Sequence, residues 1–272
     1  MSIKLVAIDL DGTLLTDNKT ITPATVKVIQ AASQAGVKIV LCTGRPLTGV
    51  AEHLQTLGLL GDDQYVITYN GALVQTINGR VLIRHTLNYD DYTDLEALSR
   101  KLKSHFHVET ENHIYTANKN LSPYTIGESF YVRMGIRYRD VSEMPHNLKI
   151  PKGMFIDPPE KITALRAQIP QAFLDKYYFV QSEPYFLEVL NKSASKGNAL
   201  RDLAKRLNFK PENLMAIGDQ GNDLAMLRYA KTAVAMGNAI PEAKALATYV
   251  TATNEQDGVA QAIQKFVLPQ AN

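Results

Sequence analysis

The segment Asp9-Leu10-Asp11-Gly12-Thr13 decides the fold, because it ends an apolar run, Ile3 to Leu10, with two acidic side chains and a glycine. The run predicts a buried strand, and Gly12 permits a sharp turn away from its carboxyl end. Both carboxylates are then expected at the edge where the loops of a parallel sheet bind ligands. At about 4 Å and an effective dielectric of about 20, two such charges repel by roughly 4 kcal/mol, so the pair should bind a cation, share a proton or divide its roles.

This segment has other interpretations. Aspartates at a strand end are also ordinary turn residues, and that alternative stays open from these five residues alone. A calcium-binding loop would place Gly at its sixth position and Glu at its twelfth, whereas this chain has Leu14 and Thr20 there. The calcium loop is therefore excluded.

Apolar runs alternate with amphipathic stretches on either side of the middle of the chain. The first series predicts strand, helix, strand, helix, strand at Ile3–Leu10, Pro23–Ala35, Val37–Cys42, Pro46–Leu57 and Tyr65–Tyr69. The pattern returns after Ser195, with helices at Lys196–Leu207, Asn222–Tyr229 and Pro241–Ala247, a last helix ending near Val267, and strands at Leu214–Gly218 and Thr232–Ala235. This alternation predicts an α/β fold with a Rossmann-like, doubly wound parallel sheet.

The middle of the chain has a different pattern. Asn78-Gly79 predicts a tight hairpin between Ala72–Thr76 and Arg80–Arg84. Beyond it, helices are predicted at Asp90–Ser104 and Glu160–Asp175, and strands at His105–Thr110, His113–Ala117, Pro151–Ile156, Tyr177–Gln181 and Phe186–Leu190. We therefore expect a discontinuous core domain of residues 1–84 and 190–272, split by an α+β insertion of residues 85–189.

Composition limits the possible partners. The 272 residues contain 29 Lys and Arg against 27 Asp and Glu, without a block of like charges, which argues against a nucleic-acid partner. Acidic residues interrupt the first apolar run too early for a signal peptide, and no run has the roughly 18 apolar residues of a membrane span. With Cys42 as its single cysteine, the chain is expected to be cytoplasmic and without a membrane partner.

A second acidic segment, Gly218-Asp219-Gln220-Gly221-Asn222-Asp223, follows the predicted strand Leu214–Gly218. Asp223 and Asn222 have an alternative explanation as residues that cap the next helix. That explanation covers Asp219 less well. Three or four carboxylates at one edge of the sheet would favour a hard cation with oxygen ligands.

Two further segments complete the pattern. Thr43-Gly44-Arg45-Pro46 joins a predicted strand to a helix, where a hydroxyl and free N–H groups suit a phosphate. An ordinary strand-to-helix turn would have the same sequence pattern, so that alternative stays open. Ser195-Lys196-Gly197 opens another helix and offers one cation, or simply a solvated lysine. Together the four segments supply a nucleophilic carboxylate, a neighbouring acid, a phosphate-binding hydroxyl, a cation and a metal carboxylate. These are the parts of a phosphoryl-transfer site.

The order and identity of these residues resemble the haloacid dehalogenase (HAD) superfamily of phosphohydrolases over the whole chain. The insertion between Thr43 and Lys196, together with Tyr69-Asn70-Gly71-Ala72 and Val234-Ala235-Met236-Gly237-Asn238-Ala239, resembles the Cof-type sugar phosphatases of subclass IIB. That resemblance implies that the insertion is a large α/β cap that selects the substrate.

The resemblance also implies a role for each site residue. Asp9 would attack phosphorus to form an aspartyl-phosphate, and Asp11 would protonate the leaving group and later activate water. Mg²⁺ would be bound by the carboxylates of Asp9 and Asp219 and the backbone carbonyl of Asp11. The phosphoryl oxygens would be bound by Leu10 (through its N–H), Thr43, Gly44, Lys196 and Asn222. Asp223 would contact these residues and not the substrate.

The expected activity is Mg²⁺-dependent hydrolysis of small phosphate monoesters, with sugar phosphates as the expected substrates. Two alternatives stay open. A phosphomutase would share the aspartyl-phosphate, and a non-catalytic sensor of phosphorylated metabolites would keep the site for binding only. A sensor has no need of Asp11, which favours an enzyme.

Overall fold

The computed structural model describes residues 2–268, apart from the side chain of Ser182. Within this range the strands are β1 Leu5–Asp9, β2 Lys38–Cys42, β3 Tyr65–Thr68, β4 Leu73–Thr76, β5 Val81–Arg84, β6 Phe106–Glu109, β7 His113–Thr116, β8 Gly135–Tyr138, β9 Lys152–Ile156, β10 Tyr177–Glu183, β11 Phe186–Asn191, β12 Leu214–Gly218, β13 Thr232–Ala235 and β14 Tyr249–Val250. The helices are α1 Pro23–Gln34, α2 Ala51–Thr56, α3 Tyr89–Lys101, α4 Pro123–Val132, α5 Pro159–Arg166, α6 Gln171–Lys176, α7 Lys196–Arg206, α8 Leu224–Tyr229, α9 Pro241–Leu246 and α10 Gly258–Phe266. In the described range, no helix is long and apolar enough to cross a membrane.

The chain divides into two compact units. The first contains the residues up to Ile83 and those from Ser195 onward, and the second contains Arg84–Ala194. The sequence placed the second break at residue 190, five residues earlier. The break falls later because β11 continues to Asn191, paired with its neighbour β10, and the chain then turns through Ala194.

The first unit is built on an eight-stranded sheet in the order β14-β13-β12-β1-β2-β3-β4-β5. The strands from β14 to β3 are all parallel, whereas β4 returns antiparallel to β3. All five residues of β1 and of β12 are buried, as expected of central strands covered on both faces. The predicted α/β fold with a parallel core is confirmed.

The second unit is built on a six-stranded mixed sheet in the order β10-β11-β9-β6-β7-β8. Alternate residues of its central strands, such as Phe106, Phe155 and Val189, join one apolar core. The residues that alternate with them along the strands, including His107 and Glu188, belong to the opposite face of the sheet and are also buried.

Two features of the second unit differ from the sequence prediction. The single helix expected over Glu160–Asp175 is wrong, because the chain breaks into α5 and α6, with Pro170 as the residue that precedes α6. Helix α4 and strand β8 had no counterpart in the prediction. Helix α4 begins after Ser122, whose hydroxyl accepts a hydrogen bond from the Tyr124 N–H at 3.3 Å.

Candidate active site

The chemistry-bearing segments of the first unit follow neighbouring parallel strands. Asp9 is the last residue of β1, which pairs with β2 on one side and β12 on the other. The segment from Asp219 begins where β12 ends, and Thr43 directly follows β2. Because the carboxyl ends of parallel strands lie at one edge of the sheet, these loops meet there.

A buried lysine joins two of the acids. The Nζ of Lys196 lies 2.5 Å from Oδ1 of Asp9 and 2.7 Å from Oδ1 of Asp223, and all three side chains are almost completely buried. Lys196 is the first residue of α7, and Ser195 caps that helix by accepting a hydrogen bond from the Asn198 N–H. The lysine predicted as either a site cation or a solvated side chain is therefore buried among carboxylates.

Asp223 organises the loop that carries it. Its Oδ2 accepts hydrogen bonds from the N–H groups of Asp219 (2.9 Å) and Gln220 (3.0 Å), while its Oδ1 accepts from Lys196. Gly218 is required beside it, since a Cβ there would lie 2.6 Å from the Cβ of Asp223. Both oxygens of Asp223 thus have donors, and the capping role considered from the sequence is part of what the residue does.

Asp219 lies against the loop after β1. Its Oδ1 accepts a hydrogen bond from the Thr13 hydroxyl at 2.8 Å, and its Oδ2 accepts from the Gln220 side-chain amide at 3.0 Å. Gly12, with φ of 80°, has no room for a side chain, because a Cβ would lie 2.7 Å from Oδ2 of Asp219. The sequence did not assign Thr13 a role, although it belongs to the segment that decided the fold.

Oxygens of Asp9, Asp219 and Asp223 lie within 4.8 Å of one another, a spacing that can bind a metal ion. Burial, together with the negative charge of Asp223, raises the pKa of Asp9 well above its ordinary value. Burial also raises the pKa of Asp219. The single ammonium group of Lys196 therefore does not balance the negative charge of three buried carboxylates. Carboxylate oxygens are the ligands that a hard divalent cation prefers, so this cluster fits such an ion.

Asp11 has a different environment. Burial alone would raise its pKa, but Arg45 and Lys19 outweigh burial and hold the pKa of Asp11 below its ordinary value. Arg45 donates to both oxygens, from Nε at 2.9 Å and from Nη2 at 2.5 Å, and the Lys19 Nζ donates at 3.0 Å. The resemblance had assigned Asp11 a role that begins with a proton on it, whereas these contacts favour the carboxylate.

The remaining predicted residues surround a turn at the end of β3. The Thr43 hydroxyl accepts a hydrogen bond from the Arg45 N–H at 3.1 Å, so it stabilises its own loop. The Asn222 side-chain amide donates to Oδ1 of Asn70 at 3.0 Å, and a Cβ on Gly44 would lie 3.1 Å from Nδ2 of Asn70. Leu10 has a fully buried side chain, which leaves only its backbone for a ligand.

Sequence reasoning missed Asn70, Arg45 and Lys19 as parts of this site. Asn70 was quoted only within the stretch that carried the family resemblance, and Arg45 only within a strand-to-helix turn. Lys19 gave no signal, because its contact with Asp11 arises from the loop that follows β1.

Comparison with known proteins places this chain in a family. The profile of the haloacid dehalogenase-like hydrolases matches residues 6–263. The chain is 48% identical over 269 residues to a Streptococcus pyogenes serotype M6 protein named "Putative phosphatase", covering 98% of this chain and 100% of that protein. It is 45% identical over 266 residues to the Bacillus subtilis protein named "Putative phosphatase YxeH", covering 97% of this chain and 98% of that protein. It is 32% identical over 271 residues to the 5-amino-6-(5-phospho-D-ribitylamino)uracil phosphatase YcsE of Bacillus subtilis, covering 98% and 97%.

Solved structures agree with the sequence relatives. A haloacid dehalogenase-like hydrolase from Bacteroides thetaiotaomicron superposes with a TM-score of 0.86 at 29% identity, covering 97% of this chain and 99% of that one. The HAD subclass IIB sugar phosphatase BT4131 superposes with a TM-score of 0.78 at 27% identity, covering 97% and 98%. The family profile extends across both units, and its residues 6–263 include Asp9, Asp219 and Asp223. The chain belongs to the haloacid dehalogenase-like hydrolase family.

Proposed function

We propose that the protein is a Mg²⁺-dependent phosphatase of the Cof-type branch that hydrolyses small phosphate monoesters, sugar phosphates in particular, through an aspartyl-phosphate on Asp9. The observation that carries the proposal is the position of Lys196, whose ammonium group lies between Asp9 and Asp223 in a buried cluster of acids. Positioned positive charge is the largest contribution to catalysis of phosphoryl transfer, and it is paired here with a carboxylate nucleophile.

Asp9 and Asp11 divide the chemistry. A carboxylate oxygen of Asp9 forms a bond to phosphorus while the bond from phosphorus to the ester oxygen breaks, and the leaving oxygen takes a proton. Water then attacks the aspartyl-phosphate, the bond between phosphorus and Asp9 breaks, and Asp11 accepts the proton from water. Arg45 and Lys19 keep Asp11 in the carboxylate form that this second step needs, so a monoanionic ester brings the proton for the first.

The donor set suits Mg²⁺. The carboxylates of Asp9 and Asp219 and the backbone carbonyl of Asp11 would bind it, while Asp223 supports Lys196 and the loop. When bound, the ion supplies positive charge to the transferring phosphoryl group. Thr13 and Gln220 orient the Asp219 carboxylate by hydrogen bonds to its two oxygens.

The phosphoryl oxygens are bound by groups from four loops. Lys196 contributes charge, and Thr43, Gly44, Asn222 and the N–H of Leu10 contribute hydrogen bonds. Each belongs to a loop at the carboxyl edge of the sheet or to a helix start, and hydrogen bonds within these segments, such as those of Ser195 and Asp223, hold the groups toward one place.

Two of the related proteins support a phosphorylated sugar or polyol as substrate. BT4131 is named a sugar phosphatase, and YcsE acts, by its name, on a phosphoribityl compound. Both names describe a phosphate ester on a polyhydroxylated carbon chain. The second unit, Arg84–Ala194, is proposed to select among such substrates.

The test is a screen of sugar phosphates, polyol phosphates and p-nitrophenyl phosphate with Mg²⁺, measuring released phosphate. Asp9→Asn should abolish turnover and leave the fold intact, whereas Asp62→Asn, at an exposed loop position, should behave as the wild type. A folded protein that releases no phosphate from any ester overturns the hydrolase. An isomerised phosphosugar without free phosphate would identify a mutase, and tight binding without turnover would identify a sensor.

A further inference from the structure

The turn Tyr69–Gly71 at the end of β3 has an unusual backbone. Three consecutive residues have positive φ angles, 51° at Tyr69, 53° at Asn70 and 99° at Gly71. The left-handed region is unfavourable for Tyr, less so for Asn and freely accessible to Gly. A buried turn with this backbone persists only where its surroundings fix it, and such turns are concentrated at functional sites.

Contacts on two sides fix the turn. The Asn70 N–H donates to the Thr43 carbonyl at 2.9 Å, and the Tyr69 N–H donates to the Arg45 carbonyl at 3.2 Å. On the other side Gly71 lies against the start of α7, where a Cβ would be 2.2 Å from the Ser195 carbonyl oxygen. The turn therefore connects the loop after β2 to the helix that begins with Lys196.

The Asn70 side chain makes a third connection. It is 3% exposed, its Oδ1 accepts a hydrogen bond from Nδ2 of Asn222 at 3.0 Å, and its Nδ2 lies beside Gly44. The amide of Asn70 thus accepts a hydrogen bond from Asn222 through its oxygen and packs against Gly44 on the side of its nitrogen. Asn70 thus lies between two of the groups that the proposed function places on phosphoryl oxygens.

We propose that Asn70 is a positioning residue of the phosphoryl-binding site, which orients the Asn222 amide and fixes the Thr43-Gly44 loop relative to it. The inference rests on the proposed function. Asn70 acts through Asn222 and the loop, and its backbone conformation is part of that role.

A double-mutant cycle on Asn70 and Asn222 tests this role. Asn70→Gly keeps the left-handed backbone and removes the amide, and Asn208→Gly is the matched control at an exposed position with φ of 57°. The cycle is scored on kcat/KM and on the calorimetric affinity for inorganic phosphate with Mg²⁺. We expect Asn70→Gly to lower both by about tenfold in the wild type and by less than about threefold in Asn222→Ala, because residues that act as a unit are not additive.

Full additivity of the two substitutions, or an Asn70→Gly protein within about twofold of the wild type, would overturn the proposal. Thermal unfolding of each variant separates loss of function from loss of fold. If Asn70→Gly does not fold, Asn70→Ala replaces it, since Ala also removes the acceptor for Asn222 without adding a charge and keeps the Cβ that Gly lacks, and the same loss and the same coupling to Asn222→Ala are expected. Wild-type turnover is measured separately, so an inactive wild type counts against the hydrolase, while the phosphate affinities still decide the role of Asn70.

Discussion

Lys196 and Asp9 form a buried ion pair, with Nζ and Oδ1 2.5 Å apart, across 187 positions of sequence. Asp223 completes the arrangement on the other side of the ammonium group at 2.7 Å. Removal of one charged side chain from a buried ion pair leaves the opposite charge buried and unpaired. The resulting loss of folding stability is larger than the net contribution of the intact pair.

Lys196→Met should therefore destabilise the protein by about 3–5 kcal/mol when divalent metal is absent, because Asp9 and Asp223 lose their shared counter-charge. Turnover should also fall by at least about a hundredfold, because the substitution removes the ammonium group that stabilises the negative charge of the phosphoryl oxygens. Urea unfolding and phosphate release measure the two effects.

Lys19→Met is the control for the charge change. Lys19 also pairs with a carboxylate, Asp11, but its side chain is 56% exposed, so the change should cost less than about 1 kcal/mol. Equal shifts of the urea midpoint in the two variants would show that burial does not govern the strength of the Lys196 pair.

The core of the first unit follows directly from sequence, because buried parallel strands are continuous apolar runs. The observed bounds of β12 and β13 are those predicted. The expectation that Asp9 and Asp219 meet also follows from topology, since both come at the ends of neighbouring parallel strands. What the sequence lacks is the partner of each carboxylate, because the contacts of Arg45 with Asp11 and of Thr13 with Asp219 depend on loop geometry.

Helix α4 of the second unit was not predicted, because its sequence lacks the apolar pattern of a helix. Helix α4 buries Thr125, Glu128 and Val132, whereas Ile126 is 44% exposed and Phe130 is 82% exposed. Two of the three buried residues are polar and large apolar residues face solvent, so the usual period of apolar residues does not mark this helix.

Gly12→Ala should weaken metal binding by about tenfold or more, because the new Cβ would lie 2.7 Å from Oδ2 of Asp219 and displace that carboxylate. Gly36→Ala is the matched control. Gly36 has a similar φ of 87°, and a Cβ there would have no atom within 4 Å, so this substitution carries the same backbone strain without the clash. Calorimetric titration with Mg²⁺ or Mn²⁺ measures the affinity, and equal affinities for the two variants would remove Asp219 from the metal site.

A buried ionic cluster in the second unit predicts a pH-dependent stability. Burial, opposed by the Lys152 ammonium, raises the pKa of Glu128 to about 7 from its ordinary 4.5. The folded protein thus retains a proton between pH 4.5 and 7 that the unfolded chain has lost, so stability falls as pH rises through this window. The groups around Glu128 are His107 and Glu109 on β6, Lys152 on β9, Tyr185, and Glu188 on β11.

Glu128→Gln should remove this dependence. At about pH 4 the variant and the wild type should protect α4 nearly equally from amide hydrogen exchange, since Glu128 is then protonated in both the folded and the unfolded chain. By about pH 8 the wild type should exchange roughly a hundredfold faster than the variant, the equivalent of about 3 kcal/mol. Burial lowers the pKa of His107 to about 4, although the Glu128 carboxylate opposes this effect. As pH falls below 6.5, where His107 lowers the stability, Glu128 of the folded protein is mostly protonated and neutral like Gln, so the contribution of His107 largely cancels in the ratio. Glu160→Gln, at an exposed position of α5, should give a ratio that does not change with pH, and the same constant ratio for Glu128→Gln would contradict the prediction.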